Sequence, residues 1–303
     1  MQTILGANGT IAQELSKHLP GYNTVIRQVS RNPRKINSND ELVSADLLNY
    51  EQTDKAVAGS EVVYLLAGLK YDIVTWREQW PRIMKNVIDA CKKHNSKLVF
   101  FDNVYPYGQV KGPMTEETPF NPCSKKGEVR AQIATTLLDE IKAGNINGMI
   151  VRGADFYGPT ALLSLTYQMV SQKLKAGKSP QWIGDVSKIH SFTYTPDAGR
   201  CVAMLGNTPS AFNQTWHALT SQERITGEAY VRMACGILNK PYKVQALPRM
   251  GVRLLGIFVP VLREFVEMMY QYENDYFFDS TKFENAFHVQ ATAYRDGIAS
   301  TLV

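Results

Sequence analysis

Gln2-Thr3-Ile4-Leu5-Gly6-Ala7-Asn8-Gly9-Thr10-Ile11-Ala12 is the stretch on which the fold turns. Thr3–Leu5 is a short apolar strand. Beyond the glycines, Ile11, Leu15 and Leu19 recur at helical spacing until Pro20-Gly21 breaks the pattern. A strand–turn–helix of this composition suits phosphate binding. Gly6 makes the tight turn, Gly9 lets the backbone approach a pyrophosphate, and the small Ala12 lets helix and strand pack closely. The amides around Asn8, Thr10 and Ile11 then meet the phosphates at the positive end of the helix dipole. The bland alternative is an ordinary glycine turn before a helix. A Walker loop is excluded, because Gly-Lys-Ser/Thr is absent.

The second strand, Thr24–Val29, leads into Ser30-Arg31-Asn32-Pro33-Arg34-Lys35. A dinucleotide site for NAD wants a carboxylate here for the ribose 2′-hydroxyl, whereas a 2′-phosphate wants arginine. No carboxylate follows until Asp40, so Arg31 favours NADP, with NAD still possible; a basic solvent loop is the alternative. The missing acid also argues against an S-adenosylmethionine site.

Working outward, apolar or β-branched runs at Glu61–Leu66, Lys97–Phe101 and Gly148–Val151 alternate with helical spacing at Ile83/Val87/Ala90 and Ile133/Leu137/Ile141. Such alternation predicts βαβ units and a Rossmann-type, doubly wound parallel sheet, an α/β fold with helices on both faces. After about residue 155, prolines break the chain into short pieces, including strands at Ser191–Thr195 and Gln214–Leu219. The expected division is a cofactor domain over 1–155 and a smaller α+β C-terminal substrate lobe over 156–303, sharing elements across a soft boundary.

Composition narrows the function. The 303 residues are 44% hydrophobic and 20% charged, enough apolar material for a substantial core. The longest apolar run, Leu254–Leu262, is interrupted by Gly256 and Pro260 and is too short to span a bilayer. With no signal-peptide pattern at the start, the expectation is a cytoplasmic protein with no membrane partner. Four scattered cysteines and five histidines without short ligand spacing give no expected metal site. The net charge of +5 comes from dispersed basic residues rather than a stripe, so no nucleic-acid partner is expected.

With those residues in place, nearly the whole chain resembles the extended and atypical branches of the short-chain dehydrogenase/reductase superfamily, in particular the NAD-dependent epimerase/dehydratase family. Gly6–Ala12 is similar to the family's GxxGxxG/A turn. The resemblance implies that Asp46-Leu47 contacts adenine and that Leu66-Ala67-Gly68 lies beneath the adenine ribose. It implies that Asn86, counted with the cofactor site, buttresses the active-site strand. Asn103-Val104-Tyr105-Pro106-Tyr107-Gly108 resembles the family's Ser-x-x-Val-Tyr-Gly stretch. Val151–Pro159 resembles Arg-Pro-x-x-x-Tyr-Gly-Pro and implies that Ala154, Asp155 and Phe156 lie at the cofactor. Phe192–Asp197 and Phe278–Phe283 resemble landmarks of the substrate lobe.

The catalytic positions depart from that pattern. The family's Ser/Thr aligns with Asn103, and its Tyr-x-x-x-Lys aligns with Lys126 and Arg130. Tyr64, Tyr71, Tyr105, Tyr157, Tyr167 and Tyr194 all lack a lysine four residues on; Tyr107 has Lys111 there, but that pair lies ahead of the aligned position. The expectation is that Lys126 and Arg130 hold the nicotinamide ribose and substrate, with Lys126 open to act as a base if Arg130 crowds it. Tyr105 or Tyr107 is the candidate acid. Two functions stay open. One is an NADP(H)-using oxidoreductase or isomerase on a small polar or sugar-like substrate. The other is a non-catalytic NADP(H)-binding redox sensor or regulatory partner. Tyr71, Trp76 and Trp80 line the pocket or fill the core, Lys70 and Arg77 meet an anionic substrate or water, and His190 reads as a surface histidine. The helices Asp72–His94 and Glu128–Ala143 resemble a dimerisation pair, which leaves monomer and homodimer both open.

Overall fold

The computed structural model describes residues 1–303. Its centre is a wholly parallel seven-stranded sheet. In chain order the first strands are β1 (Gln2–Leu5), β2 (Ile26–Ser30), β3 (Glu41–Ser44), β4 (Val62–Leu65) and β5 (Lys97–Asp102). A short β6 (Pro113–Met114) precedes β7 (Gly148–Arg152), β8 (Asp155–Tyr157), β9 (Gln181–Ile183), β10 (Phe192–Tyr194) and β11 (Thr215–His217). The last two are β12 (Gln245–Leu247) and β13 (Phe277–Phe278). The sheet runs β11-β7-β5-β4-β1-β2-β3, so the strand order reverses between β1 and β4. A crevice forms at such a switch point, at the carboxyl ends of the strands.

Helices cover both faces. α1 (Thr10–His18) lies on one. On the other lie α2 (Tyr50–Val57), α3 (Ile73–His94) and α4 (Lys125–Lys142), with Trp80, Ile83, Val87, Ile133 and Leu137 packed on Leu65, Leu98 and Phe100. After the short α5 (Gln172–Lys175), α6 (Thr195–Gly206) joins α1 over Ile4, Tyr64 and Val99. Strands buried on both faces read as the near-continuous apolar runs seen in the sequence. α4 begins at Lys125, three residues earlier than expected, because the Ser124 side chain accepts from the Gly127 amide at 3.0 Å and caps it.

The rest of the chain builds α7 (Gly227–Ile237), α8 (Arg249–Gly256), α9 (Pro260–Phe265), α10 (Tyr270–Glu273), α11 (Thr281–Phe287) and α12 (Tyr294–Leu302). Much of it packs around Tyr157, Trp182, Phe192, Tyr230 and Tyr294. The two halves interleave: β11 and α6 come from the second half yet complete the central sheet and its cover, and β13 pairs with β6. No helix is long and apolar enough to cross a membrane.

Candidate active site

The glycine turn stands at the switch point. The amides of Gly6 and Ala7 donate to the Val29 carbonyl at 2.9 and 3.0 Å, which fixes the turn to the end of β2. Gly6 has φ +91°, and a Cβ there would lie 2.5 Å from Ala67 Cα, so only glycine allows the turn to sit against the end of β4. Gly9 is the N-cap of α1 and no side chain caps that helix, so the first-turn amides from Thr10 onward have no intrahelical acceptor. The Asn8 side-chain Nδ2 donates to the Asn32 carbonyl at 2.9 Å, holding the loop that carries the exposed Arg31 beside the turn. Thr10 Oγ1 donates to the Thr160 carbonyl at 3.3 Å, linking the same turn to the segment after β8. These residues fit a dinucleotide: the first-turn amides of α1 are open to a pyrophosphate, and Arg31 is exposed and in no ion pair.

Asp46 sits in the loop after β3 with Leu47 buried behind it. The Asn86 amide, on α3, donates to the Leu47 carbonyl at 2.9 Å. Asn86 therefore braces the Asp46-Leu47 loop, which corrects the expectation that it buttresses the strand leading to Asn103.

At the carboxyl end of β5 the catalytic candidates part company. Asp102 is buried and accepts from Arg130 Nε at 2.7 Å and from the Asn103 amide at 2.8 Å, with Arg152 Nε at 3.5 Å. The Arg130 guanidinium lies 4.4 Å from the Trp80 ring centre and 5.1 Å from that of Phe100. Its planar fork is spent on Asp102 inside the core, so the expected ribose contact by Arg130 is not what this geometry provides. Tyr107 is also corrected. It is buried, donates to His217 Nε2 at 2.9 Å, and accepts from Arg152 Nη1 at 3.1 Å. His217 Nδ1 in turn donates to the Asp279 carbonyl at 2.6 Å. Burial lowers the His217 pKa to about 3, a shift the Asp279 carbonyl opposes and the Arg152 and Lys282 charges reinforce. Tyr107 is thus a tie within the core and not a candidate acid.

Lys126 is buried completely, its Nζ 2.5 Å from Glu264 Oε2 and 3.0 Å from Glu267 Oε1, and 4.7 Å from the Tyr71 ring centre. Lys126 is therefore not half of a solvated Lys125-Lys126 pair, and it is not crowded by a like charge: Arg130 turns away and two carboxylates meet the ammonium. Both carboxylates also cap helices, Glu264 accepting from the Ile73 amide at 3.1 Å and Glu267 from the Lys125 amide at 2.8 Å. Gly127 lets α4 come this close, since a Cβ there would lie 2.7 Å from the Tyr105 carbonyl.

Tyr105 stands over this cluster, stacked on Trp76 with its hydroxyl 3.5 Å from that of Tyr71. Burial first, and the Asp155 charge next, push the Tyr105 phenol well up, so it stays protonated. Asn103 Oδ1 accepts from the Tyr105 amide at 3.0 Å, which leaves its side-chain nitrogen free to donate. Beyond β7, Ala154 is buried and Phe156 packs on Phe101, while Asp155 reaches toward the substrate lobe. Its Oδ2 accepts from the Tyr272 hydroxyl and lies 2.9 Å from His190 Nε2. His190 is buried, with ring centres 4.4 Å from both Tyr272 and Tyr276, which corrects its reading as a surface residue. The physical cause is the stacking of three rings, contributed by residues 190, 272 and 276, that nothing local in the sequence connects.

Glu264, Glu267, Tyr272 and Tyr276 were not anticipated. One signal was present: Glu264 and Glu267, spaced three apart on one helical face, are the first acids after a run from Ala229 to Arg263 that has none.

A doubly wound parallel sheet with a glycine turn at its switch point defines a dinucleotide-fold protein. The profile of the NAD dependent epimerase/dehydratase family matches residues 3–216, ending at β11, and the chain belongs to that family. Among curated proteins, it is 30% identical to the 3beta-hydroxysteroid-dehydrogenase/decarboxylase isoform 1 of Arabidopsis thaliana over 174 residues, 51% of this chain and 37% of that protein. It is 28% identical to isoform 2 from the same plant over 168 residues, 51% of this chain and 28% of that one. The chain therefore matches only about a third of the length of these relatives. Among solved structures it is similar to the Thermus thermophilus UDP-glucose 4-epimerase complexed with NAD, at TM-score 0.80 and 15% identity, covering 100% of this chain and 98% of that one. The Bacillus anthracis dTDP-glucose 4,6-dehydratase complexed with NAD gives TM-score 0.81 at 17% identity, covering 99% and 94%.

Proposed function

We propose that this chain is an NADP(H)-using oxidoreductase or isomerase that acts on a hydroxyl-bearing small polar or sugar-like substrate, with Asp155 in the acid–base role its relatives give to tyrosine. The observation that carries the reading is the Tyr272–Asp155–His190 array: a carboxylate still about a quarter exposed, held from behind by a phenol and an imidazole. Gly6, Asn8, Gly9, Thr10 and Ile11 would hold the pyrophosphate, Arg31 the 2′-phosphate, and Asp46, Leu47, Leu66, Ala67 and Gly68 the adenosine end. The bound cofactor supplies a hydride acceptor and donor at its nicotinamide ring. As an alcohol is oxidised, its O–H proton passes to Asp155 while the carbon gives up hydride; reduction runs the same transfers backwards. Tyr105, protonated, and the Asn103 nitrogen donate to the substrate oxygen and orient it. Lys126, buried and tied to Glu264 and Glu267, moves no proton.

Asp155→Asn tests the assignment. A screen of carbonyl compounds and nucleotide sugars with NADP(H), followed optically, should find turnover in the unaltered chain. The variant should lose about a hundredfold or more of it, the scale of a general acid–base contribution, with cofactor affinity unchanged. Full turnover in the variant would remove Asp155 from the mechanism. The non-catalytic reading is favoured by one observation, the complete engagement of Lys126 and Arg130 by carboxylates. It predicts tight NADPH binding with no turnover across the whole screen.

A further inference from the structure

We infer that the α8–α9 hairpin docks this protein on an anionic lipid surface, an inference independent of the reading of the active site. Sixteen large apolar residues are exposed in the chain, and seven fall between Met250 and Val261. At the tip, Ile257 and Phe258 are 70% and 83% exposed. The opposite side of the hairpin is anchored. Val252, Leu262, Phe265 and Val266 pack with Ile183 and Met269, and Glu264 is ion-paired to buried Lys126. Gly256 lets the two helices cross tightly, since a Cβ there would lie 2.9 Å from the Arg263 amide nitrogen. The apolar face is therefore presented by a fixed element, not shed by a loose one.

Charge selects the occupant. From Ala229 to Arg263 there are six arginines and lysines and no aspartate or glutamate. Arg249 is paired with Glu273, whereas Arg253 and Arg263 are exposed beside the apolar face and belong to no ion pair. A second copy of the chain would bring the same cations against one another at a symmetric interface. An anionic headgroup layer complements them, and an apolar face rimmed by arginine is the pattern of an element lying in the membrane–water interface. The eight residues of α8 extend about 12 Å, well short of an apolar bilayer core of about 30 Å, so the mode is surface docking. The sequence expectation of no membrane partner followed from the lack of a spanning segment, and that argument does not bear on interfacial docking.

Flotation of the full chain with vesicles of phosphatidylcholine alone, or of phosphatidylcholine mixed with phosphatidylglycerol, tests this. The chain should float with the anionic vesicles, weakly or not at all with neutral ones, and less in high salt. The double substitution Ile257→Asp/Phe258→Asp should cut the bound fraction by about tenfold, and Arg253→Glu/Arg263→Glu by a smaller factor, both with native circular dichroism and unchanged NADPH affinity. A chain that stays in solution with anionic vesicles overturns the inference. So does equal flotation of the aspartate variant. A concentration-dependent dimer that this variant abolishes, with no vesicle binding, would assign the face to a second copy instead.

Discussion

Arg31 shows how one side chain carries a functional choice. It stands exposed just after β2, where the proposed function puts the ribose end of the dinucleotide, and no carboxylate lies at the strand end to repel a 2′-phosphate. A charge-assisted hydrogen bond contributes about 1.5–3 kcal/mol. Arg31→Asp should therefore weaken NADPH binding by about tenfold or more while leaving NADH affinity equal or better, measured by fluorescence titration. Equal affinity of the unaltered chain for the two cofactors would assign Arg31 to the solvent.

At the scale of elements, the segment from α9 to α10 closes over α3 and α4 through two carboxylates. Glu264 and Glu267 cap those helices and pair with Lys126, whose side chain has no access to water. Removing the charge of both leaves an uncompensated buried cation, a loss on the order of 3–5 kcal/mol. Glu264→Gln/Glu267→Gln should lower the denaturant midpoint accordingly, and adding Lys126→Met should restore most of it, because no buried charge then remains. If the triple variant is no more stable than the double, the helix caps rather than the ion pairs hold this segment.

For the whole molecule, His217 joins regions far apart in the chain: β11, the Tyr107 loop and the Asp279 carbonyl. An unfolded chain binds a proton at this histidine near pH 6.5, whereas the folded one refuses it down to about 3. Between those values the unfolded state holds more protons, so stability falls as the pH drops, by up to about 1.4 kcal/mol per pH unit from this group. Urea midpoints at pH 7 and pH 5 should differ less for His217→Gln than for the unaltered chain. Identical differences would mean that His217 is not held neutral by the fold.

The parallel sheet and its glycine turn were legible because their signals are local: apolar runs of four to six residues, helical spacing between them, and glycines where the backbone must turn or be approached. Asp102 pairing with Arg130, Lys126 meeting Glu264 and Glu267, and His190 stacked between Tyr272 and Tyr276 were not legible. Each joins residues that lie far apart along the chain or are brought close only by packing, and sequence spacing says nothing about which buried charge finds which partner. Lys125 and Lys126 differ in the same way. Side by side in the sequence they look alike, yet one faces water and the other is sealed beneath α9. By itself the sequence determined the alternation of strands and helices and the glycine turn between β1 and α1, since propensity, periodicity and glycine freedom act over a few residues. Only the tertiary structure decided which polar groups are spent on one another and which remain open to a substrate, because burial and pairing depend on what the rest of the chain brings to each side chain.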